Sequence, residues 1–102
     1  GSMETGSYLL AGVASGAQTF FSTAHGSGRT MSRARARKLW QGEKLQHDME
    51  ERGIIVRCAS RSGLAEEAGG AYKNIDDVIE ATEEAGISKR VVRFTPIGLL
   101  KG

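Results

Sequence analysis

The chain has 102 residues, of which 39% are hydrophobic and 25% charged, a size and composition typical of one small globular domain or a segment of a larger one. Its formal net charge of +2 provides no overall basic field that would by itself indicate a nucleic-acid partner. No run approaches the roughly 20 apolar residues that a membrane-spanning helix needs, and the single cysteine, Cys58, excludes an internal disulfide and favours a reducing compartment.

The N-terminal third of the sequence predicts a strand followed by a loop. The short apolar run at 8–12, bounded by small residues, is typical of a buried strand. The stretch at 16–29 contains many small residues and few helix formers. We expect Phe20 and Phe21 to anchor this stretch to the core and so to fix the base of the loop.

Two helices are predicted next. Thr30 or Ser32 can cap a helix that begins near residue 31, because their hydroxyls can accept a hydrogen bond from the first turn. Gly42 then interrupts the helical pattern and separates a second helix at 42–52. Gly53 is placed to end that helix as a C-terminal cap.

The remaining sequence predicts interspersed strands and helices. β-Branched residues mark strands, and apolar residues at helical spacing with acids in the first turn mark the clearest helix. The predicted elements are a strand at 54–58, one or two helical turns at 64–68, a helix at 75–85 capped by Asn74, and extended segments at 90–94 and 97–100. The chain is therefore predicted to be α+β, a single module over 1–102 with no internal boundary.

The loop at 22–29 contains the most informative pattern in the chain. His25 is followed by Gly26-Ser27-Gly28 and then by Arg29. Glycines let backbone approach a ligand closely, and the planar fork of an arginine suits phosphate. A neutral imidazole can act as a nucleophile towards phosphorus, as a general base or as a metal ligand. The pattern fits a phosphate-handling loop, and it also fits a flexible turn with an incidental histidine.

Basic residues concentrate directly after this loop. Six of them and one acid lie between Arg29 and Lys44. Arg29, Arg33 and Arg37 are spaced by about one helical turn, which favours either a row that tracks phosphates or a solvated basic face. His47 is interpreted as a solvated surface residue. No metal-ligand spacing surrounds the loop histidine, so no metal site is predicted within the chain.

Four residues outside the loop can contact a ligand. The hydroxyls of Ser2 and Ser7 can bond a nucleotide or satisfy local backbone. Tyr72 lies in a predicted loop, where it can stack on a base or cover an edge of the core. Lys101 is next to the C-terminal residue, but the apolar run at 97–100 is expected to hold it in a fixed position.

In these residues and their spacing, the chain resembles the C-terminal portion of the RtcB-type RNA ligases over essentially its whole length. The family's His-Gly-Ala-Gly-Arg loop corresponds to residues 25–29, with Ser27 in place of the usual alanine. Glu4 and Gly6 depart from the family's order of small residues, but the spacing from Ser2 to Tyr8 is kept, so Gly1-Ser2-Met3 is interpreted as native sequence. The other matching segments are Ser32-Arg33-Ala34, Ala71-Tyr72-Lys73-Asn74, Ala85-Gly86-Ile87 and Lys101-Gly102.

The resemblance implies an activity: joining RNA 3′-phosphate or 2′,3′-cyclic phosphate ends to 5′-hydroxyl ends, in tRNA splicing or RNA repair. GTP would guanylylate His25 in the presence of Mn²⁺, GMP would pass to the RNA 3′-phosphate, and the 5′-hydroxyl would displace it. RNA or phosphate contacts are implied for Arg29 and Arg33. Nucleotide contacts are implied for Ser2, Ser7, His25, Gly26, Ser27, Gly28, Tyr72 and Lys101.

The resemblance also implies what this chain does not contain. The family's manganese ligands lie upstream of the matching region, so we expect a fragment that carries the nucleophile but no metal site, and that does not guanylylate itself in isolation. The implied partners are RNA, including tRNA halves, and the missing N-terminal portion of a cytoplasmic ligase; no membrane is implied. The alternatives are a non-catalytic RNA- or nucleotide-binding module and an enzyme completed by a partner chain.

Overall fold

The computed structural model describes residues 1–102 and confirms the α+β class. The molecule is elongated, with extents of 45 × 26 × 21 Å. None of its helices is long and apolar enough to cross a membrane. In chain order the elements are β1 (Ser7–Gly12), a 3₁₀ helix (Ala14–Thr19), α1 (Arg33–Leu39), α2 (Gly42–Glu51), β2 (Ile55–Cys58), α3 (Arg61–Glu66), a second 3₁₀ helix (Gly69–Ala71), α4 (Ile75–Glu84), β3 (Ser88–Phe94) and β4 (Gly98–Lys101).

Side-chain caps fix where three of the four α-helices begin. Ser32, Ser60 and Asn74 each accept a hydrogen bond from a backbone N–H two or three residues further on, which satisfies one of the free donors of the first turn. Of the two caps predicted for α1, the structure uses Ser32. Gly53, with a φ of 83°, follows α2 as predicted.

The core lies where α2, α3 and β2 meet. Gly42 allows the close approach of α2 to α3, because a side chain at this position would overlap the backbone carbonyl of Arg61. Trp40, Cys58 and Leu99 pack against the core from its edge. Its buried side chains are Leu45, Met49, Ile54, Val56, Leu64 and Ala68.

A two-stranded parallel sheet attaches the C-terminus to this core. β4 pairs with β2 in a register that places Ile55 opposite Gly98 and Cys58 opposite Lys101. The backbone N–H of Ala59 also donates to the carbonyl oxygen of Lys101, at 2.9 Å. The backbone of Lys101 is therefore held in place, as the apolar run before it predicted.

A separate antiparallel ribbon forms from β1 and β3. Ser7 lies opposite Phe94 and Leu9 opposite Val92, with a register shift between Leu9 and Leu10. α4 packs against the ribbon, but the side chains of Leu9, Val92 and Phe94 remain exposed. The predicted strand is confirmed, but its predicted burial is wrong, because a two-stranded ribbon packed against a single helix leaves the rest of its surface without a partner.

The predicted anchoring role of Phe20 and Phe21 is also wrong. Both residues follow the first 3₁₀ helix with φ values of 55° and 57°, in the left-handed region, where the backbone N–H of each donates back to the helix. Their exposed fractions are 91% and 74%. The helix end, rather than burial of the two rings, fixes the base of the loop.

Candidate functional site

The loop that contains His25 is fixed at its C-terminal end by main-chain pairing. Arg29 and Tyr72 form an isolated antiparallel bridge. On either side of it, the N–H of Lys73 donates to the carbonyl of Gly28 and the N–H of Thr30 donates to that of Ala71, both at 2.9 Å. Two segments that are more than forty residues apart in sequence are thus brought together, and both contain predicted site residues.

The imidazole of His25 is exposed. It takes part in none of the hydrogen bonds or ion pairs of the chain. Together with Ser7 and Gly26 it lines a cavity of about 130 Å³, whose apolar wall includes Ile75 and Val78 of α4. A side chain added at Gly26 would meet no atom within 4 Å. The structure therefore leaves open space beside a histidine that has no competing partner.

Ser27 contrasts with its neighbours because it is buried, with an exposed fraction of 5%. Its hydroxyl oxygen has no hydrogen-bond partner. An unsatisfied buried polar group of this kind costs about 1–3 kcal/mol. Gly28, with a φ of 74°, provides the left-handed turn that joins this buried residue to Arg29. The loop therefore turns Ser27 into the interior, whereas His25 stays at the surface.

The guanidinium of Arg29 uses three of its five N–H donors within the chain. Its Nε donates to the carbonyl of Met31 at 3.0 Å, its Nη1 to the hydroxyl of Tyr72 at 3.0 Å, and its Nη2 to the carbonyl of Glu66 at 2.6 Å. The guanidinium carbon also lies 4.8 Å from the centre of the Tyr72 ring, within cation–π range. Arg29 therefore fixes the end of the loop, and its predicted RNA contact stays a prediction.

Two adjacent glutamates, Glu66 and Glu67, form ion pairs with the basic residues of this region. Arg37 pairs closely with Glu66, and the Nε of Arg33 lies 3.8 Å from an oxygen of each glutamate. Arg29 and Lys101 both approach Oε1 of Glu67, at 3.9 Å. We call this group the charged cluster; its members are Arg29, Arg33, Arg37, Glu66, Glu67, Tyr72 and Lys101.

The hydroxyl of Tyr72 lies at the centre of the charged cluster. It donates to Oε2 of Glu67 and accepts from Arg29. Burial raises the pKa of Tyr72, and the hydrogen bond to Glu67 raises it further. The phenol therefore stays protonated and directs its proton to the carboxylate.

Tyr72 also lines an open groove of about 510 Å³. This volume lies within the roughly 300–1,000 Å³ typical of small-molecule sites, whereas the cavity beside His25 is smaller than that range. Ile75 is the one lining residue that the groove shares with the cavity beside His25.

The remaining predicted site residues lie in three different places in the structure. Ser7 and Gly26 lie with His25 in the cavity, and Lys101 lies in the charged cluster. Ser2 lies in a turn at the N-terminus, where its hydroxyl bonds with Thr5 Oγ1 at 3.0 Å and accepts from the N–H of Glu4 at 3.3 Å. His47 is exposed and pairs with Glu51, as its interpretation as a surface residue predicted.

Glu66 and Glu67 were not predicted as site residues. Two adjacent acids within a short predicted helical segment do not identify their basic partners, which come from three other segments of the chain. Among all residues of the structure, no group of three or more His, Cys, Asp or Glu could hold a metal ion.

Comparison with known proteins finds extensive similarity. Residues 1–102 match the family model described as tRNA-splicing ligase RtcB. The chain is 52% identical to the tRNA-splicing ligase RtcB of Pyrococcus furiosus, 50% identical to the RNA-splicing ligase RtcB of Mycobacterium tuberculosis, and 47% identical to the tRNA-splicing ligase RtcB of Methanocaldococcus jannaschii. Each match covers 100% of this chain but only 11%, 23% and 11% of the respective relative. The chain thus spans a quarter or less of the length of these relatives.

Proposed function

Since this chain belongs to the RtcB family of tRNA-splicing ligases, we propose that it is the part of a GTP-dependent RNA ligase that accepts the nucleotide on His25. The complete enzyme would join RNA 3′-phosphate or 2′,3′-cyclic phosphate ends to 5′-hydroxyl ends. The observation that carries the proposal is the exposed, unpaired imidazole in a loop of small residues that borders a cavity.

His25 can perform the first step because its imidazole has no competing partner. A ring nitrogen forms a bond to the α-phosphorus of GTP, the bond from that phosphorus to the bridging oxygen breaks, and pyrophosphate leaves with the electron pair. The other ring nitrogen releases its proton to solvent. An oxygen of the RNA 3′-phosphate then attacks the same phosphorus, the phosphorus–nitrogen bond breaks, and the released imidazole takes back a proton from solvent. The RNA 5′-hydroxyl finally displaces GMP and forms the new phosphodiester.

The surroundings of His25 fit a guanine nucleotide. Gly26, Ser27 and Gly28 are proposed contacts beside the imidazole, where a side chain added at Gly26 would meet no atom within 4 Å. The groove lined by Tyr72 is large enough for a nucleotide. Lys101 does not line this groove, but Tyr72 and Lys101 both pair with Glu67, and both are proposed nucleotide contacts. Ser2 and Ser7 are further proposed contacts.

Phosphate attraction is supported by the balance of charge in the cluster. Four cations surround two carboxylates there, which leaves a surplus of two positive charges. Such a surplus steers anionic ligands towards the site. The side chain of Arg33 is 65% exposed, so it has donors free for an RNA backbone, whereas Arg29 acts mainly by fixing the loop.

The complete enzyme needs components that lie outside this segment. No set of residues here fits a metal ion, so the proposed manganese would be held by other parts of the longer protein. The exposed rings of Phe20 and Phe21 and the exposed face formed by Leu9, Val92 and Phe94 support packing against those parts. RNA, including tRNA halves, is the proposed substrate, and the cytoplasm is the proposed location.

A covalent-labelling experiment tests the proposal in the full-length protein. The protein is incubated with GTP labelled at the α-phosphate and with Mn²⁺, and the label retained after denaturation is measured for the wild type, His25→Ala and His47→Ala. His47 is the matched control because it is an exposed histidine far from the loop in sequence. We expect His25→Ala to reduce labelling and RNA joining to background and His47→Ala to leave both unchanged. Undiminished labelling of His25→Ala would refute the proposal.

The alternative, a non-catalytic binding module, makes a different prediction. Its full-length protein would bind RNA with a strong salt dependence, but it would retain no label and join no ends. The exposed cation of Arg33 permits such binding. Ligation by the wild type that is lost with His25→Ala would exclude this alternative.

The isolated 102-residue chain provides a second test. Because it holds no metal-binding set, we expect it to retain no label from GTP and Mn²⁺. Labelling of the isolated chain that disappears with His25→Ala would show that this segment alone suffices for guanylylation.

A further inference from the structure

Glu67 occupies a fixed place in the charged cluster, although the proposed reaction assigns it no step. It caps the C-terminus of α3, where its N–H donates to the carbonyl of Leu64 at 3.0 Å. α3 is anchored by the fully buried Leu64 and by Ala65. The side chain of Glu67 is 22% exposed. Its carboxylate is therefore attached to a rigid part of the core.

Four groups from four different segments converge on this carboxylate. The hydroxyl of Tyr72 donates to Oε2. Around Oε1 lie the Nη1 of Arg29 and the Nζ of Lys101, both at 3.9 Å, and the Nε of Arg33 at 3.8 Å. Glu67 is the only residue of the chain that pairs with both Tyr72 and Lys101 through its side chain.

The position of the Lys101 ammonium depends on the Glu67 carboxylate more than the positions of Arg29, Arg33 and Tyr72 do. Its backbone is fixed by β4, but its side chain has one ion-pair partner, Glu67. A lysine side chain loses up to about 2 kcal/mol of rotamer entropy when it is ordered. Without the negative charge, the ammonium would face the guanidinium groups of Arg29 and Arg33 and would move away into solvent.

We infer that Glu67 is a positioning residue that holds the hydroxyl of Tyr72 and the ammonium of Lys101 in one arrangement for the nucleotide base. This inference rests on the proposed function, in which Tyr72 and Lys101 contact the nucleotide. The proton of Tyr72 is committed to Glu67, and the ammonium of Lys101, with three donors, has donors left over for a ligand. Such an ammonium favours guanine, whose C6 carries a carbonyl oxygen, over adenine, whose C6 carries an amino group, since N7 is an acceptor in both bases.

A double-mutant cycle in the full-length protein tests the inference. The variants are Glu67→Gln, Lys101→Met and the double variant, with Glu51→Gln as a control for loss of one surface carboxylate. Covalent labelling is measured over a range of GTP concentrations and, separately, with ATP. Glu67→Gln keeps the size of the side chain and a hydrogen-bond acceptor for Tyr72, so it removes mainly the charge that orders Lys101.

We expect Glu67→Gln to raise the GTP concentration for half-maximal labelling by about tenfold. Labelling at saturating GTP should stay nearly unchanged. The ratio of labelling with GTP to labelling with ATP should decrease. In the Lys101→Met background the same change is expected to have little further effect, because the two residues act as a unit. Glu51→Gln should match the wild type.

Three outcomes would overturn the inference. The first is an unchanged GTP requirement in Glu67→Gln. The second is an effect of Glu67→Gln that is fully additive with Lys101→Met. The third is a loss of labelling that saturating GTP does not recover, since that indicates a structural role. Failure of the proposed function gives a different result, because the wild type would then retain no label or Lys101→Met would not alter the GTP requirement.

Discussion

His25 and Arg29 lie four residues apart in one loop, yet the contacts of their side chains are opposite. The imidazole has no hydrogen-bond or ion-pair partner in an open cavity, whereas the guanidinium donates three hydrogen bonds and lies against the ring of Tyr72. A site that must form and break a bond needs a reactive group free of competing contacts, held by neighbours that do not move. The contrast assigns reactivity to His25 and support to Arg29.

The largest effect on stability should come from the supporting residue. Arg29→Met leaves the carbonyls of Met31 and Glu66 and the hydroxyl of Tyr72 without their donor, so we expect a loss of about 2–3 kcal/mol in the free energy of unfolding. His25→Ala removes no polar contact and should change it by less than about 0.5 kcal/mol. Urea unfolding of the chain measures both. Equal losses from the two substitutions would remove the distinction between them.

The next effect concerns the hydroxyl that joins Arg29 to Glu67. Tyr72→Phe deletes it and should cost about 1 kcal/mol in the same unfolding measurement. Tyr8→Phe is the matched control, because the hydroxyl of Tyr8 also donates to a carboxylate, that of Asp76 at 2.5 Å, but outside the charged cluster. A cost for Tyr8→Phe as large as that for Tyr72→Phe would mean that the cluster adds nothing to the hydrogen bond.

A smaller effect of opposite sign is expected at Ser27. Because its hydroxyl is buried without a partner, Ser27→Ala should raise the free energy of unfolding by about 1 kcal/mol. The family's loop has alanine at this position, so the same substitution should leave nucleotide labelling of the full-length protein nearly unchanged. A loss of stability instead would show that the hydroxyl already has a partner in the folded chain.

The smallest effect is a dependence on alkaline pH. The pKa of Tyr72 is raised above its ordinary value by burial and by Glu67, so the folded state binds the phenolic proton more tightly than the unfolded state does. The resulting contribution to the free energy of unfolding is fully present below the pKa of the unfolded state, about 10. It is lost as pH rises through the pKa of the folded state. Above about pH 10, the free energy of unfolding should fall more steeply with pH for the wild type than for Tyr72→Phe. Parallel curves would contradict the assignment.

Local sequence signals were sufficient for most of the α-helices and strands. Ser32 and Asn74 begin their helices and Gly53 ends α2 because capping depends on residues within one turn. The two 3₁₀ helices and the start of α3 at Arg61 were not predicted. The larger failures concern burial. Phe20, Phe21 and the β1–β3 ribbon are apolar in sequence, but burial depends on a partner surface, and this chain has too few elements to cover them.

The candidate site could be predicted only in part for the same reason. Composition and spacing singled out the loop of His25, and the resemblance to the family added Tyr72 and Lys101. Glu66 and Glu67 were missed because their role depends on Arg29, Arg33, Arg37 and Lys101 arriving from distant segments. Side-chain pairing at long range is set by the fold, and no local pattern encodes it.

Peptide mapping by mass spectrometry tests the central claim most directly. The full-length protein is treated with GTP and Mn²⁺, digested at alkaline pH because a phosphorus–nitrogen bond is labile to acid, and the position of the GMP adduct is determined. The account predicts GMP on the peptide that contains His25, and its loss after acid treatment. GMP on a lysine, such as Lys73 or Lys101, with His25 unmodified would contradict it.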